Sequence, residues 1–321
     1  MSVIQFHHSF PFDPRYGYDL DRLLEVSAPE EPDDFVAFWR NLYATARQVD
    51  VQPALYEVDS RQDAWRLFDV EFFSLDRFRV RGWLVLPRHE PVERGAVIGH
   101  GYGGRDGPDW DIPIGRSAWL FPCARGLSRS ATPAISADPN KHVLHGIQNR
   151  HAYLLGRCVA DSLWCAATAL GELVPAAAGH LDYLGISFGG GMGALGLAWD
   201  ERFKRAHLNV PSFGNHPLRL QCPCVGSGEA VRGYHRRHAD VLEVLRYYDG
   251  AAAARRVHIP VHVAAALFDP AVPPPGQYSI HNALGGPKQL FVLQSGHFDH
   301  AGTGAENQAL RQELRTFFRQ G

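Results

Sequence analysis

Residues Tyr183–Gly193 read YLGISFGGGMG. An apolar run leads into one serine set among glycines, where a strand should give way to a helix. Gly185-Ile186-Ser187-Phe188-Gly189 matches G-x-S-x-G, the sharp strand-to-helix turn that presents a nucleophile. The serine backbone in that turn is strained. Its flanking positions lie against the neighbouring strand and helix, where a Cβ would clash, and glycine at 185 and 189 meets that demand. The turn lifts the Ser187 hydroxyl above the sheet and aims a helix N-terminus at it, which favours a developing oxyanion. A plain Gly-Ser turn is the competing reading, and the predicted strand before and helix after Ser187 weigh against it.

Working outward, short apolar strands alternate with helices. GAVIGHG (95–101), LDYLGIS (181–187), KRAHLNV (204–210), VHIPVHVAAALFD (257–269) and PKQLFVLQSG (287–296) read as strands. The stretch Tyr153–Leu173 reads as a long amphipathic helix, the glycines run into a helix ending near Trp199, and Glu306–Arg319 closes the chain as another. This grammar predicts an α/β fold with a mainly parallel sheet covered on both faces. Upstream, WRLFDVEFFSL and FRVRGWLVLPR, joined by a turn at Asp76 and Arg77, predict an antiparallel hairpin. Residues 1–50 read as an arm, extended to about Glu31, and a helix capped by Asp33 or Asp34 with Phe35, Phe38, Trp39 and Leu42 on one face. Two stretches break the alternation. Ala124–Arg150 is polar and Pro-rich, and Phe213–Gly250 is expected to be a lid-like insertion over the sheet. Residues 1–321 read as one domain.

The 321 residues are 45% hydrophobic and 21% charged, enough for a sizeable core. A formal net charge of −2 gives no electrostatic case for nucleic acid or an anionic membrane. The HRRH run at 235–238 reads as a solvated helix face. Cys123, Cys158, Cys165, Cys222 and Cys224 are odd in number and lack a C-x-x-C pair, so free thiols in a reducing compartment are expected. No signal peptide and no spanning run are visible, which makes a cytoplasmic location the expectation.

A serine hydroxyl needs a base, and the base needs an orienting carboxylate. In chain order these follow as Ser, acid, His. Asp269 stands directly after the strand ending at Phe268, and His297 after the strand ending at Gln294. Both sit at strand C-terminal ends, where ligand-facing residues are delivered. Asp269-Pro270 could be only a turn, and His300 is the runner-up base. The order and the strand ends favour Ser187, Asp269 and His297. The oxyanion donors are expected to be the backbone N–H of Phe188 and of Tyr102 in the loop GHGYGGR (99–105). HFDH (297–300) offers too few clustered ligands for a metal site, and no cofactor is expected.

With these residues in hand, the chain resembles the acetyl xylan esterase/cephalosporin C deacetylase family, carbohydrate esterase family 7 of the α/β-hydrolase superfamily. The resemblance spans most of the chain. It rests on EEPDDFVAFWRNL (30–42), His100–Arg105, Ser187 with Gly189, Gly190 and Gly191, Asp269 with Pro273 and Pro274, and VLRYYDGAAAARRVHIPV (244–261). It implies an α/β-hydrolase fold, removal of acetyl groups from small acetylated sugars, and often a homo-oligomer with restricted access to the site. Three departures stand out. Phe188 replaces the family's usual Gln and should make the wall apolar. Ile186 replaces a second Gly, and residues 131–145 differ from the usual stretch. The expected activity is a serine esterase acting through an acyl-enzyme on a small-molecule ester. An amidase, thioesterase or acyltransferase on the same triad, or a silent binding protein, are the alternatives.

Overall fold

The computed structural model describes residues 6–320, so the first five residues of the expected arm and Gly321 lie outside the described residues. The strands are β1 (Ala54–Val58), β2 (Trp65–Phe73), β3 (Arg79–Pro87), β4 (Arg94–Gly99), β5 (Ser117–Pro122), β6 (Leu181–Ile186), β7 (Phe203–Asn209), β8 (Val261–Ala266) and β9 (Lys288–Leu293). They form one sheet in the order β1-β2-β3-β5-β4-β6-β7-β8-β9. The β2–β3 hairpin is antiparallel, as its sequence predicts. From β5 through β9 the pairing is parallel. The strand order reverses direction at β4, placing Ser187 and the loop after β4 at the crevice where α/β sheets bind ligands.

Both faces of the sheet are covered. On one, Trp39, Trp164, Tyr183 and Leu208 join the core beneath the helices Phe35–Arg47, Cys165–Leu173 and Phe188–Gly196. On the other, Leu310, Leu314, Phe317 and Phe318 of the helix Thr303–Arg319 pack on Ile98, Leu184 and Ala264. The crossover from β4 to β5, residues 100–116, holds no helix. Parallel neighbours are usually joined through one. Here Trp110, Ile112 and Ile114 take over part of the covering.

Several expectations need correction. The helix expected over Tyr153–Leu173 is interrupted by a π-helical turn at Ala160–Trp164, and it is buried on nearly every side rather than amphipathic. Its one buried carboxylate, Asp161, pairs bidentately with Arg125 at 2.7 and 2.8 Å, tying the helix to the loop after β5. Asp34 stands at the N-cap of Phe35–Arg47, but its side chain caps nothing. It bonds the Tyr247 hydroxyl and Arg150 instead. The arm includes a short helix, Leu20–Leu24.

Residues 213–250 carry the helices His216–Arg219, Ser227–His235 and Val241–Leu245. The HRRH run straddles the exposed C-terminal end of the second. The two ends of this segment meet. Gly250 N–H donates to Phe213 C=O at 2.7 Å, and the buried Asp249 carboxylate accepts from Asn215 and His216 N–H at 3.1 and 2.6 Å. The same carboxylate caps the helix Gly250–Ala254.

Candidate active site

The turn between β6 and the helix Phe188–Gly196 places Ser187 at φ 54° and ψ −110°. A non-glycine residue reaches that region only when its surroundings hold it there. Ser187 N–H donates to Asn209 C=O at 2.8 Å, and its own C=O accepts from Gly191 and Ser212 N–H at 2.9 and 3.1 Å. A Cβ on Gly189 would meet backbone C and O of Gly99 at 2.7 and 2.8 Å, and one on Gly185 would lie 2.5 Å from Gly189 C. These obstacles are main-chain atoms and cannot rotate away. The glycines therefore let β4, β6 and the helix close around the turn. Tyr183, fully buried, donates its hydroxyl to Gly189 C=O at 2.6 Å and holds the turn from below.

Ser187, His297 and Asp269, far apart in the chain, meet here. His297 Nε2 lies 2.9 Å from Ser187 Oγ, and His297 Nδ1 lies 2.8 Å from Asp269 Oδ2. The second bond requires Nδ1 to carry the proton, which leaves Nε2 free to accept from the serine. Burial of the ring lowers its proton affinity. The charge and hydrogen bond of Asp269 raise it by more, so the His297 pKa stands above the ordinary histidine value. Asp269 is fully buried. Its Oδ1 accepts from Ala271 and Val272 N–H, each at 2.9 Å. The turn-forming role considered for Asp269-Pro270 is therefore real and coexists with the bond to His297. His300 is engaged elsewhere, with Nδ1 accepting from Gly302 N–H at 3.1 Å.

Two further residues support the site. Gln277 Nε2 donates to Asp269 Oδ2 at 2.9 Å and to Val272 C=O at 2.7 Å, while its Oε1 accepts from Ala266 N–H at 2.9 Å. It lies on the helix Pro274–Ala283, which the sequence reading passed over. The prolines that open that helix were the available signal. His100 is the second. Its Nε2 accepts from Ala124 N–H at 3.1 Å, so Nδ1 carries the proton and donates to Gly101 C=O at 2.7 Å. Burial lowers its pKa to about 4, keeping it neutral in this role. That contact orients the peptide group joining Gly101 to Tyr102.

Tyr102 lines the same cavity as Ser187. The Phe188 ring, expected to form an apolar wall, does not line it. It is 1% exposed and lies behind the site, 4.3 Å from the Tyr102 ring between centroids. A cavity of about 350 Å³ opens over Ser187 and His297, bordered by Tyr102, Val225, Ser227 and Val272. A serine hydroxyl bonded to an imidazole that a buried carboxylate orients, all beside one cavity, is an arrangement that suits acyl transfer. Among the described residues no cluster of three or more His, Cys, Asp or Glu side chains could hold a metal ion, and no helix is long and apolar enough to cross a membrane.

Residues 18–315 match the family model for acetyl xylan esterases. Among solved structures, the fold is similar to acetyl xylan esterase 1 from Thermoanaerobacterium sp. JW/SL YS485, with a TM-score of 0.80 and 20% identity over 94% of this chain and 99% of that one. It is similar to an acetyl xylan esterase from Paenibacillus sp. R4, with a TM-score of 0.76 and 22% identity over 92% of this chain and 99% of that one. A cold-adapted esterase from an Arctic intertidal metagenomic library shares the fold more distantly, with a TM-score of 0.56 and 16% identity over 82% of this chain and 98% of that one.

Proposed function

The chain belongs to the acetyl xylan esterase family and is a carboxylic ester hydrolase, and from that premise we propose that Ser187, His297 and Asp269 carry out the hydrolysis. Ser187 Oγ attacks the ester carbonyl while His297 Nε2 takes its proton. The resulting oxyanion accepts from the N–H groups of Phe188 and Tyr102. Collapse of the tetrahedral intermediate breaks the bond to the alcohol, which leaves with the proton held by His297. Water then attacks the acyl-enzyme by the same route and frees Ser187. Asp269 holds the imidazole in its tautomer and stabilises its cation. The observation that carries this reading is the chain of bonds from Ser187 through His297 to Asp269, at 2.9 and 2.8 Å.

The substrate class is acetylated sugars, small-molecule esters with a short acyl group. Val225 and Val272 at the cavity rim favour a short acyl chain over a long one. Cephalosporin C belongs to the same class of acetyl esters. Segment 213–250 acts as a lid, bringing Val225 to Ser227 against the cavity. The five buried, unpaired cysteines fit a reducing, cytoplasmic setting, and the family resemblance extends the reading to a homo-oligomer.

The test is hydrolysis of p-nitrophenyl acetate, butyrate and octanoate by wild type and Ser187→Ala. Acetate should be the fastest, and the variant should lose on the order of 10⁶ in kcat. Esterase activity surviving in the variant at more than a small fraction of wild type would sink the assignment. Preference for octanoate, or turnover confined to amides or thioesters, would move the protein to another acyl-transfer class.

A further inference from the structure

Residues 6–16 of the arm touch three separate segments of chain that meet beside Ser187. The first carries the acid, where Asp269 N–H donates to Pro14 C=O at 3.1 Å. The second carries the base. Phe6 lies 4.9 Å from Phe268 and 5.6 Å from Phe298 between ring centroids, and those two rings are 5.1 Å apart. Phe268 directly precedes Asp269, and Phe298 directly follows His297. One ring from the arm thus completes a triangle with the chain neighbours of the acid and the base. The third is segment 213–250. The Tyr16 hydroxyl donates to Pro223 C=O at 2.8 Å, two residues before Val225 of the cavity wall. Between these anchors Tyr16, Phe12, Phe10 and Phe298 follow ring to ring at 6.0, 5.7 and 6.2 Å.

The base is the member of the site that most needs holding. It follows β9, the last strand of the sheet, so its loop has a strand neighbour on one side only. His297 itself has φ 48°. A non-glycine residue keeps that left-handed conformation only where its surroundings impose it. Two bonds inside the loop help. Gly296 N–H donates to Phe268 C=O at 2.8 Å, and the Ser295 hydroxyl donates to Phe298 C=O at 2.6 Å. The outer side is closed by the arm. Phe268 is 1% exposed because Phe6, His8 and the Arg15 guanidinium lie over it, at 4.9, 5.4 and 5.7 Å from its centroid. Phe6 meets Phe268 edge-on at 65°, a favoured aromatic geometry that fixes orientation as well as burying area.

We propose that Phe6 and Phe10 are positioning residues for the hydrolysis: their rings hold the His297 loop against the Asp269 loop, and so hold His297 Nδ1 on Asp269 Oδ2. The inference rests on the reading of Ser187 and His297 as nucleophile and base. It goes beyond that reading by lodging part of the catalytic geometry in the opposite end of the chain. A base displaced by an ångström slows proton transfer far more than it weakens substrate capture. The signature therefore falls on kcat rather than on KM. It falls on the pH profile as well, because Asp269 is what raises the His297 pKa. A loosened bond between them returns that pKa toward the ordinary histidine value.

The test compares Phe6→Ala, Phe6→Tyr and Phe10→Ala with wild type in p-nitrophenyl acetate hydrolysis from about pH 5 to 9. Urea titration sets a temperature at which each variant is folded. In Phe6→Ala kcat should fall between about 10- and about 100-fold with KM within about twofold, and the acid limb of kcat/KM should move down. Phe6→Tyr keeps the ring and should hold kcat within about threefold of wild type. Phe10→Ala removes a half-buried ring that touches Phe298 and should show the same pattern several-fold more weakly, which keeps the test open if Phe6→Ala does not fold. Alanine variants that unfold at lower urea but keep wild-type kcat and acid limb overturn the proposal, since packing alone would do that. So does a loss in Phe6→Tyr equal to that in Phe6→Ala. Esterase activity surviving in Ser187→Ala, or a wild-type profile without an acid limb, strikes instead at the reading of Ser187 and His297.

Discussion

Replacing Gln277 with leucine separates the acid's orientation from its charge. The side chain makes three hydrogen bonds, one to the Asp269 carboxylate and two to the backbone at Val272 and Ala266. A bond to a charged group contributes about 1.5–3 kcal/mol. If that contribution acts through the bond from Asp269 to His297, kcat falls between about 10- and about 150-fold. The pH profile should move as well. Asp269 Oδ2 has one donor fewer, so its charge is offered more fully to His297 and holds the imidazolium more strongly. The acid limb of kcat/KM, set by a His297 pKa that Asp269 already raises above the ordinary histidine value, is therefore expected to shift further upward. Val272 C=O and Ala266 N–H are left unsatisfied, which lowers stability by roughly 2–6 kcal/mol. The assay is p-nitrophenyl acetate hydrolysis from pH 5 to 9, at a temperature where urea titration shows the variant folded. A lowered plateau with the acid limb in its wild-type place would reduce Gln277 to a packing role. A plateau within about twofold of wild type would refute the positioning argument altogether.

Wild-type kcat/KM should fall as pH drops through a His297 pKa lying above about 6.5, because protonated imidazole cannot take the serine proton. Asp269→Asn should move that limb down and lower kcat by about 10⁴, measured on the same ester. Gly189→Ala should abolish soluble expression or cost about 3 kcal/mol or more in urea unfolding, since its Cβ meets main chain on Gly99 and His100. Asp161→Ala leaves the buried Arg125 with only a 3.5 Å contact to the exposed Asp76 as its ion pair and should cost about 3 kcal/mol in the same measurement.

The sheet was legible wherever strand and helix alternated, because burial on both faces makes parallel strands read as short apolar runs. β1 escaped because Ala54–Val58 is a short edge strand without a buried residue to mark it. β5 escaped for the opposite reason. SAWLFP is wholly buried, but no helix precedes it to set the rhythm. That Ser187, Asp269 and His297 come together was readable because each sits at a strand end in a fixed chain order. Gln277 and His100 were not, since their roles depend on which backbone groups come within reach after folding. The misreading of Tyr153–Leu173 has a similar source. A helix roofed by another layer of helices and loops needs no polar face, and only the pairing of Asp161 with Arg125 shows where its charge goes.

The closure of residues 213–250 has a consequence for how this enzyme could be altered. The segment leaves the scaffold at Phe213 and returns at Gly250 through a single backbone hydrogen bond, with Asp249 fastening both strands of the neck. Between these ends the segment is tied to the body, with Trp39 Nε1 donating to Tyr247 C=O at 2.7 Å, the Tyr248 hydroxyl to Arg150 C=O at 2.6 Å and Val225 N–H to Pro270 C=O at 2.8 Å. Extra length therefore belongs where the chain is exposed, at residues 236–240. Doubling a loop there adds only about 0.6 kcal/mol to the cost of closing it, and the cavity wall at Val225–Ser227, the sheet and the serine turn keep their geometry.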